Sequence, residues 1–290
     1  MKKSFFLTLL LFYLIIGMLS SANALPVFQT NTLNELNFKN VENIYRVDQN
    51  GDWQIVDPDA PGATLQVGDI FQGILSIQGI QVGGTQIWYS SPTDQLTGYF
   101  LLEIDSISYD IDPNGTDLLY FKPYSGSDPY NILNTGNGEV MALFTDSSTP
   151  YEENGSISDD IAKATDGNLW ATLGFATNNN YWYAIANTDF SVLPYTNYTS
   201  IGTGGLDFIV NNTSLDWVPV VDPNEGTIPG DQYVQLYFTT KIERSSLNDY
   251  DFDSDDPANG YPVPEPATLF LLGSGLIGFA SLSKKKFKKM

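Results

Sequence analysis

The chain has 290 residues, with 13 basic and 34 acidic side chains, a formal charge of −21, and neither cysteine nor histidine. That length suffices for one large domain or two small ones. The composition excludes disulfides, imidazole-based zinc sites and Ser-His or Cys-His nucleophiles, and the charge excludes a nucleic-acid partner, because phosphate binding depends on Lys and Arg.

Residues 1–24, "MKKSFFLTLLLFYLIIGMLSSANA", read as a signal peptide. Lys2 and Lys3 form a positive n-region, Phe5 to Leu19 an apolar h-region, and Ala22 and Ala24 the small-residue site at which a signal peptidase cuts. Without this segment and the C-terminal lysines, six basic residues face 34 acids, a formal charge of about −28. Such a surface repels anionic lipid as well as nucleic acid, and favours solubility, divalent cations and neutral partners.

Residues 25–246 carry the pattern of an all-β ectodomain. Strand-like runs occur at "ENIYRV", "IFQGILSIQGIQV", "LTGYFLLEIDSISYD", "DLLYFKPY", "GEVMALFT", "NLWATLGFA", "NYWYAIAN" and "GLDFIVN". "GGTQIWYSSPTDQ" is a hairpin-type region between the second and third of these. "YVQLYFTTKIE" alternates cleanly, with Val234, Leu236, Phe238, Thr240 and Ile242 on one face. Turn residues recur between the runs, as in "DPNG", "TGNG" and "TNNN". One short helix is predicted in "SISDDIAKATDG", with Ser158 as its cap, Asp159 and Asp160 at its positive end and Gly167 after its close. Many antiparallel strands and one helix point to a β-sandwich.

Chemistry is sparse along this body. "IGTGGL" lacks the Lys-Ser or Lys-Thr of a phosphate loop and reads as a turn. A glycosidase needs only two carboxylates, so Glu103, Glu139 and Glu243 are candidates for a carbohydrate-active enzyme. Alternation within their runs makes Glu103 and Glu243 ordinary solvent-facing acids, and the expectation is that the protein is not an enzyme. No cofactor is expected; a structural Ca²⁺ is the one candidate, against the alternative that its loop is an ordinary strand-connecting turn. "DIDPNGTD" places Asp110, Asp112 and Asn114 like the opening of an oxygen-donor loop, although Phe121 stands where the closing Glu belongs. "VDQNGDW", with Asp48, Asn50 and Asp52, invites the same reading with less support. Trp170, Tyr181, Trp182 and Tyr183 are candidate rings for stacking on a neutral glycan, against the alternative that they fill the core.

Residues 247–262, with Asp249, Asp251, Asp253, Asp255 and Asp256, read as an acidic, self-repelling linker that holds the body off a membrane. Residues 263–290 form a separate unit. Val263, Pro264, Glu265 and Pro266 should be extended and exposed, because proline fixes φ and disfavours helix in the preceding residue. Ala267 to Ser283 is 17 residues without a charge; as a single transmembrane helix it would reach about 25 Å, the lower limit for a bilayer. Lys284, Lys285, Lys286, Lys288 and Lys289 follow, and the positive-inside bias puts this C-terminus in the cytoplasm with the body outside.

Pro264-Glu265-Pro266, a glycine-bearing apolar helix and a terminal basic cluster, in that order, resemble the PEP-CTERM sorting signal of Gram-negative bacteria. The resemblance covers only the C-terminal segment. It implies recognition by exosortase, a membrane-embedded transpeptidase-like enzyme, and transient anchoring followed by cell-surface or extracellular release. It also implies association with exopolysaccharide and a biofilm matrix.

Overall fold

The computed structural model describes residues 26–57, 60, 64–109, 111, 116–146, 150–153, 156–186, 199–221, 233–245 and 250–264. The signal segment, with Ala22 and Ala24, lies outside the described residues. So do the expected transmembrane helix and Lys284, Lys285, Lys286, Lys288 and Lys289. Among the described residues no helix is long and apolar enough to cross a membrane.

Alternating apolar residues with β-branched and aromatic side chains build the strands. In chain order these are β1 (Asn34–Val47), β2 (Trp53–Ile55), β3 (Ile70–Val82), β4 (Thr85–Tyr89), β5 (Gln95–Ser108), β6 (Asp117–Pro123) and β7 (Glu139–Asp146). The helix α1 (Ile157–Ala164) follows. After it come β8 (Asn168–Gly174), β9 (Tyr181–Ala186), β10 (Thr199–Asn211), β11 (Leu215–Trp217), β12 (Val220–Val221), β13 (Tyr233–Val234), β14 (Leu236–Arg244), β15 (Phe252–Gly260) and β16 (Pro262–Pro264).

The all-β, antiparallel expectation with one short helix is met, but the strands do not divide into the two sheets of a sandwich. One sheet of 12 strands runs β4-β3-β1-β15-β14-β10-β8-β7-β5-β6-β9, with β2 on β1. It closes on itself because β3 pairs with β5 as well as with β1. Going round, β3, β1, β15, β14, β10, β8, β7 and β5 form an antiparallel ring, and β6 and β9 give a second route from β5 to β10. Closure satisfies the ladder groups that an open sheet would leave at its edges.

Alternation then sorts side chains between the inside and outside of this ring. On β5, Leu96, Phe100, Leu102 and Ile104 join the main core, while Tyr99 and Leu101 enter a second cluster on the outer face. That outer cluster is covered by α1 through Ile161 and Ala164, and Thr97 Oγ1 donates to the Ala164 carbonyl at 2.7 Å. Between those faces, Gly98 must stay small: a Cβ there would collide with the Ala142 carbonyl oxygen of β7. The helix begins two residues earlier than expected. Ser156, not Ser158, is its cap, with Oγ accepting from Asp159 N at 3.3 Å.

The largest departure is the expected linker at residues 247–262. Most of its described part is β15, which lies between β1 and β14 and pairs with both, from Asn34↔Gly260 to Glu42↔Phe252 on one side. Phe252 and Ala258 are core residues. Repulsion among its acids is relieved across the ladders, where Asp255 faces Lys39 on β1 and Lys241 on β14. Opposite Pro257 the β14 ladder skips Thr239 and Thr240, a break of the kind at which strands accommodate proline.

Candidate functional site

The connection from β6 to β7, residues 124–138, leaves and returns to neighbouring points on β5: Pro123 pairs with Leu102, and Met141 with Phe100. It is thus a compact surface loop with close ends, a kind that often carries function. Three carboxylates hold it. Glu103 Oε2 accepts from Ser125 N at 2.9 Å and from Ser125 Oγ at 2.7 Å. Its other oxygen lies 3.2 Å from Lys122 Nζ, and that hydrogen bond raises the lysine pKa. Asp128 accepts from Tyr99 Oη and from the backbone N–H groups of Tyr130, Ile132 and Leu133 at 2.8 to 3.0 Å. Glu139 Oε2 accepts from Asn134 N at 2.9 Å. Thr135 Oγ1 ties the loop to itself through the Gly126 carbonyl at 2.6 Å. Burial pushes the Tyr99 phenol pKa far up, so it stays a neutral donor to Asp128 while accepting from Gln72 Nε2 at 2.9 Å.

Between this loop and the surface of β8 and β10, where Leu169, Thr172 and Val210 stand, lies a cleft of about 910 Å³. Sequence reasoning missed it. "YSGSDPYNILNTGNG" has the composition of any turn-rich stretch, and only its length hinted at more.

The carboxylates proposed from the sequence fare differently. Glu243 is exposed and pairs with Lys241. Glu103 and Glu139 are buried, at 8 % and 6 % exposure, and the solvent-facing reading of Glu103 is corrected. Alternation did put it on the outer face, but the loop covers that face. Both glutamates already accept hydrogen bonds from loop backbone, which makes them fasteners of the loop.

The aromatic candidates are corrected in the same way. Trp170 is 5 % exposed; it stacks on Phe28 at 5.6 Å and meets Trp217 edge-on at 6.3 Å. Trp182 is 7 % exposed and packs against Phe238 at 4.6 Å. Neither presents a face to a sugar. Tyr183 is buried at 4 %, and Tyr181, half-buried, stacks on it at 5.9 Å. Trp182 points inward between two tyrosines of the other face, as strand alternation requires.

Asp110, Asp112 and Asn114 lie outside the described residues. Asp48 is described: its Oδ1 accepts from Asn50 N at 2.8 Å and Asp52 N at 3.0 Å, and these backbone bonds lower its pKa. That is the geometry of a turn closed by its own aspartate. Among the described residues no group of three or more metal-ligating side chains converges.

The C-terminal junction is built into the fold. β16 pairs with β11, placing Pro262 opposite Trp217 and Pro264 opposite Leu215. Trp217 is 2 % exposed and donates to Thr213 Oγ1 at 3.1 Å. The chain just after the expected signal meets the same point: Asn31 N donates to the Pro262 carbonyl at 2.8 Å, and Tyr261 Oη to the Asn31 carbonyl at 2.7 Å. Val263 and Pro264 are extended, as expected, but half-buried. Glu265 and Pro266 lie outside the described residues.

Compared with known families, residues 262–286 match the PEP-CTERM protein-sorting motif. The match begins at the first residue of β16, so the motif starts inside the folded body. It marks an exported protein sorted to the cell surface by an exosortase-type enzyme. Compared with curated proteins, the chain has no match.

Proposed function

We propose that this chain is a non-enzymatic surface or extracellular-matrix protein, delivered by exosortase-type sorting and associated with exopolysaccharide. In this reading residues 1–24 direct export and are removed by signal peptidase. Residues 267–283 hold the precursor in the membrane with the lysines in the cytoplasm, and processing then frees the body. The observation that carries the proposal is the sorting motif at residues 262–286, joined directly to a closed, strongly acidic β domain. Supporting the non-enzymatic role, the glutamates nearest the cleft, Glu103 and Glu139, are committed to holding backbone N–H groups.

Sedimentation with exopolysaccharide from the producing cells tests it. The full chain, held in a polyoxyethylene detergent, should co-sediment with the polysaccharide and generate no new reducing ends over hours. Sustained release of oligosaccharides would replace this reading with a carbohydrate-active enzyme, and absence of co-sedimentation would remove the matrix association.

A further inference from the structure

The cleft beside the 124–138 loop has free hydrogen-bonding groups on a fixed frame. Ser127, Asn131 and Asn134 line it, all three are exposed, and their side chains make no hydrogen bond to the described residues. Asn134 stands at the start of the 3-10 turn Thr135–Asn137, yet its side chain does not cap that turn. The loop backbone beneath them is pinned by Asp128, Glu103 and Glu139, so a ligand would not have to order it. Apolar surface is present too: Leu169 is 37 % exposed, and Tyr124 holds its ring edge-on to Trp53 at 5.4 Å.

We infer that this cleft binds a neutral, polyhydroxylated chain, with Asn131, Asn134 and Ser127 bonding its hydroxyls and Tyr124 and Leu169 against its apolar C–H faces. Amide and hydroxyl groups both donate and accept, which suits sugar hydroxyls, and a flat ring suits the C–H side of a pyranose. The volume fits a segment of a few sugar units. Charge selects among glycans. The carboxylates around the cleft and the acidic balance of the whole chain disfavour uronic-acid or sulfated polymers, and Lys122 is engaged with Glu103 and Asp105. The inference rests on the proposed matrix role only for the source of the ligand; the cleft chemistry is independent of sorting.

The test uses the full chain in a detergent without a sugar headgroup, titrated with neutral hexasaccharides (gluco-, manno- and galacto-configured) and with oligogalacturonate. Tryptophan fluorescence, to which Trp53 beside Tyr124 contributes, and calorimetry report binding. At least one neutral hexasaccharide should bind, and oligogalacturonate should bind at least tenfold more weakly. The double variant Asn131→Gly, Asn134→Ala should lose at least tenfold in affinity while melting at the wild-type temperature. Glycine suits position 131, whose φ is +55°. Ser127→Ala, a single change at a side chain with no hydrogen bond to the described residues, gives a second variant expected to weaken binding with the fold intact. Binding by none of the neutral sugars, or equal binding by wild type and both variants, would overturn the inference. Native polysaccharide that still co-sediments with the cleft variants at full strength would sink the cleft and leave the matrix role standing. Oligosaccharide binding without co-sedimentation would do the reverse.

Discussion

Glu42 lies on β1 in register with Phe252 of β15 and Gly73 of β3, and only 4 % of it is exposed. Removal from water disfavours its charged form most. Ser254 Oγ donates to Oε1 at 2.6 Å and pulls the other way, and Asp253 adds repulsion. The carboxyl pKa rises from 4.5 to about 7. In that window the folded chain keeps a proton that the unfolded chain has lost. This contribution to stability is therefore fully present below pH 4.5 and is lost as pH rises to about 7. A shift of this size is worth about 3 kcal/mol. Glu42→Gln keeps the acceptor oxygen and cannot ionise. Its melting temperature should exceed wild type by roughly 5 °C at pH 8 and match it near pH 4.5. Parallel melting curves across that range would show that the carboxyl titrates normally in the fold.

Among the elements, β15 decides whether the ring closes. It contributes Phe252 and Ala258 to the core and satisfies ladder groups of both β1 and β14. A chain stopped after Ser245 leaves those two strands with facing edges and an exposed core, whereas a stop after Pro264 retains every described strand. Limited proteolysis and thermal melting should show a cooperative fold for the longer chain and rapid degradation of the shorter one. A cooperative melt from the shorter chain would demote β15 to an accessory strand. The same element shows where sequence reading stops. β3 and β5 were legible because their apolar runs are long, and β14 because its alternation is clean. "FDSDDPANG" hides its alternation: the buried members are Phe252, Ser254, Ala258 and Gly260, mostly small, while the acids between them look like a solvated spacer. Their cross-strand lysines, Lys39 and Lys241, are more than two hundred residues apart in the chain. The cleft was hidden for a related reason. Its fasteners come from β5, the loop and β7, and become one site only through register. The aromatic candidates failed because large rings near strand centres serve the core first.

At the scale of the whole molecule, the fold and the sorting motif share residues. Pro264 closes the ladder of β16 with β11 and is also the first residue of Pro264-Glu265-Pro266 within the matched motif. Pro262, two residues earlier, is held by Asn31 from the opposite end of the described chain. With β15 inside the ring, nothing like the expected long spacer separates body from motif, so the folded domain sits close to wherever residues 265–286 are handled. This closeness allows folding and sorting to be tested apart. Alanine at position 264 remains extended-compatible and even restores a backbone N–H, so the β11–β16 ladder does not depend on proline. Replacing Pro264, Glu265 and Pro266 together by alanine should leave the melting temperature of the body within a degree or two of wild type. The precursor should meanwhile accumulate in the membrane fraction at its unprocessed mass. Mass spectrometry of the membrane and released fractions reads both termini at once. Release of a normally processed body from the triple variant would mean that the sorting enzyme does not read these three residues, whatever the match over 262–286.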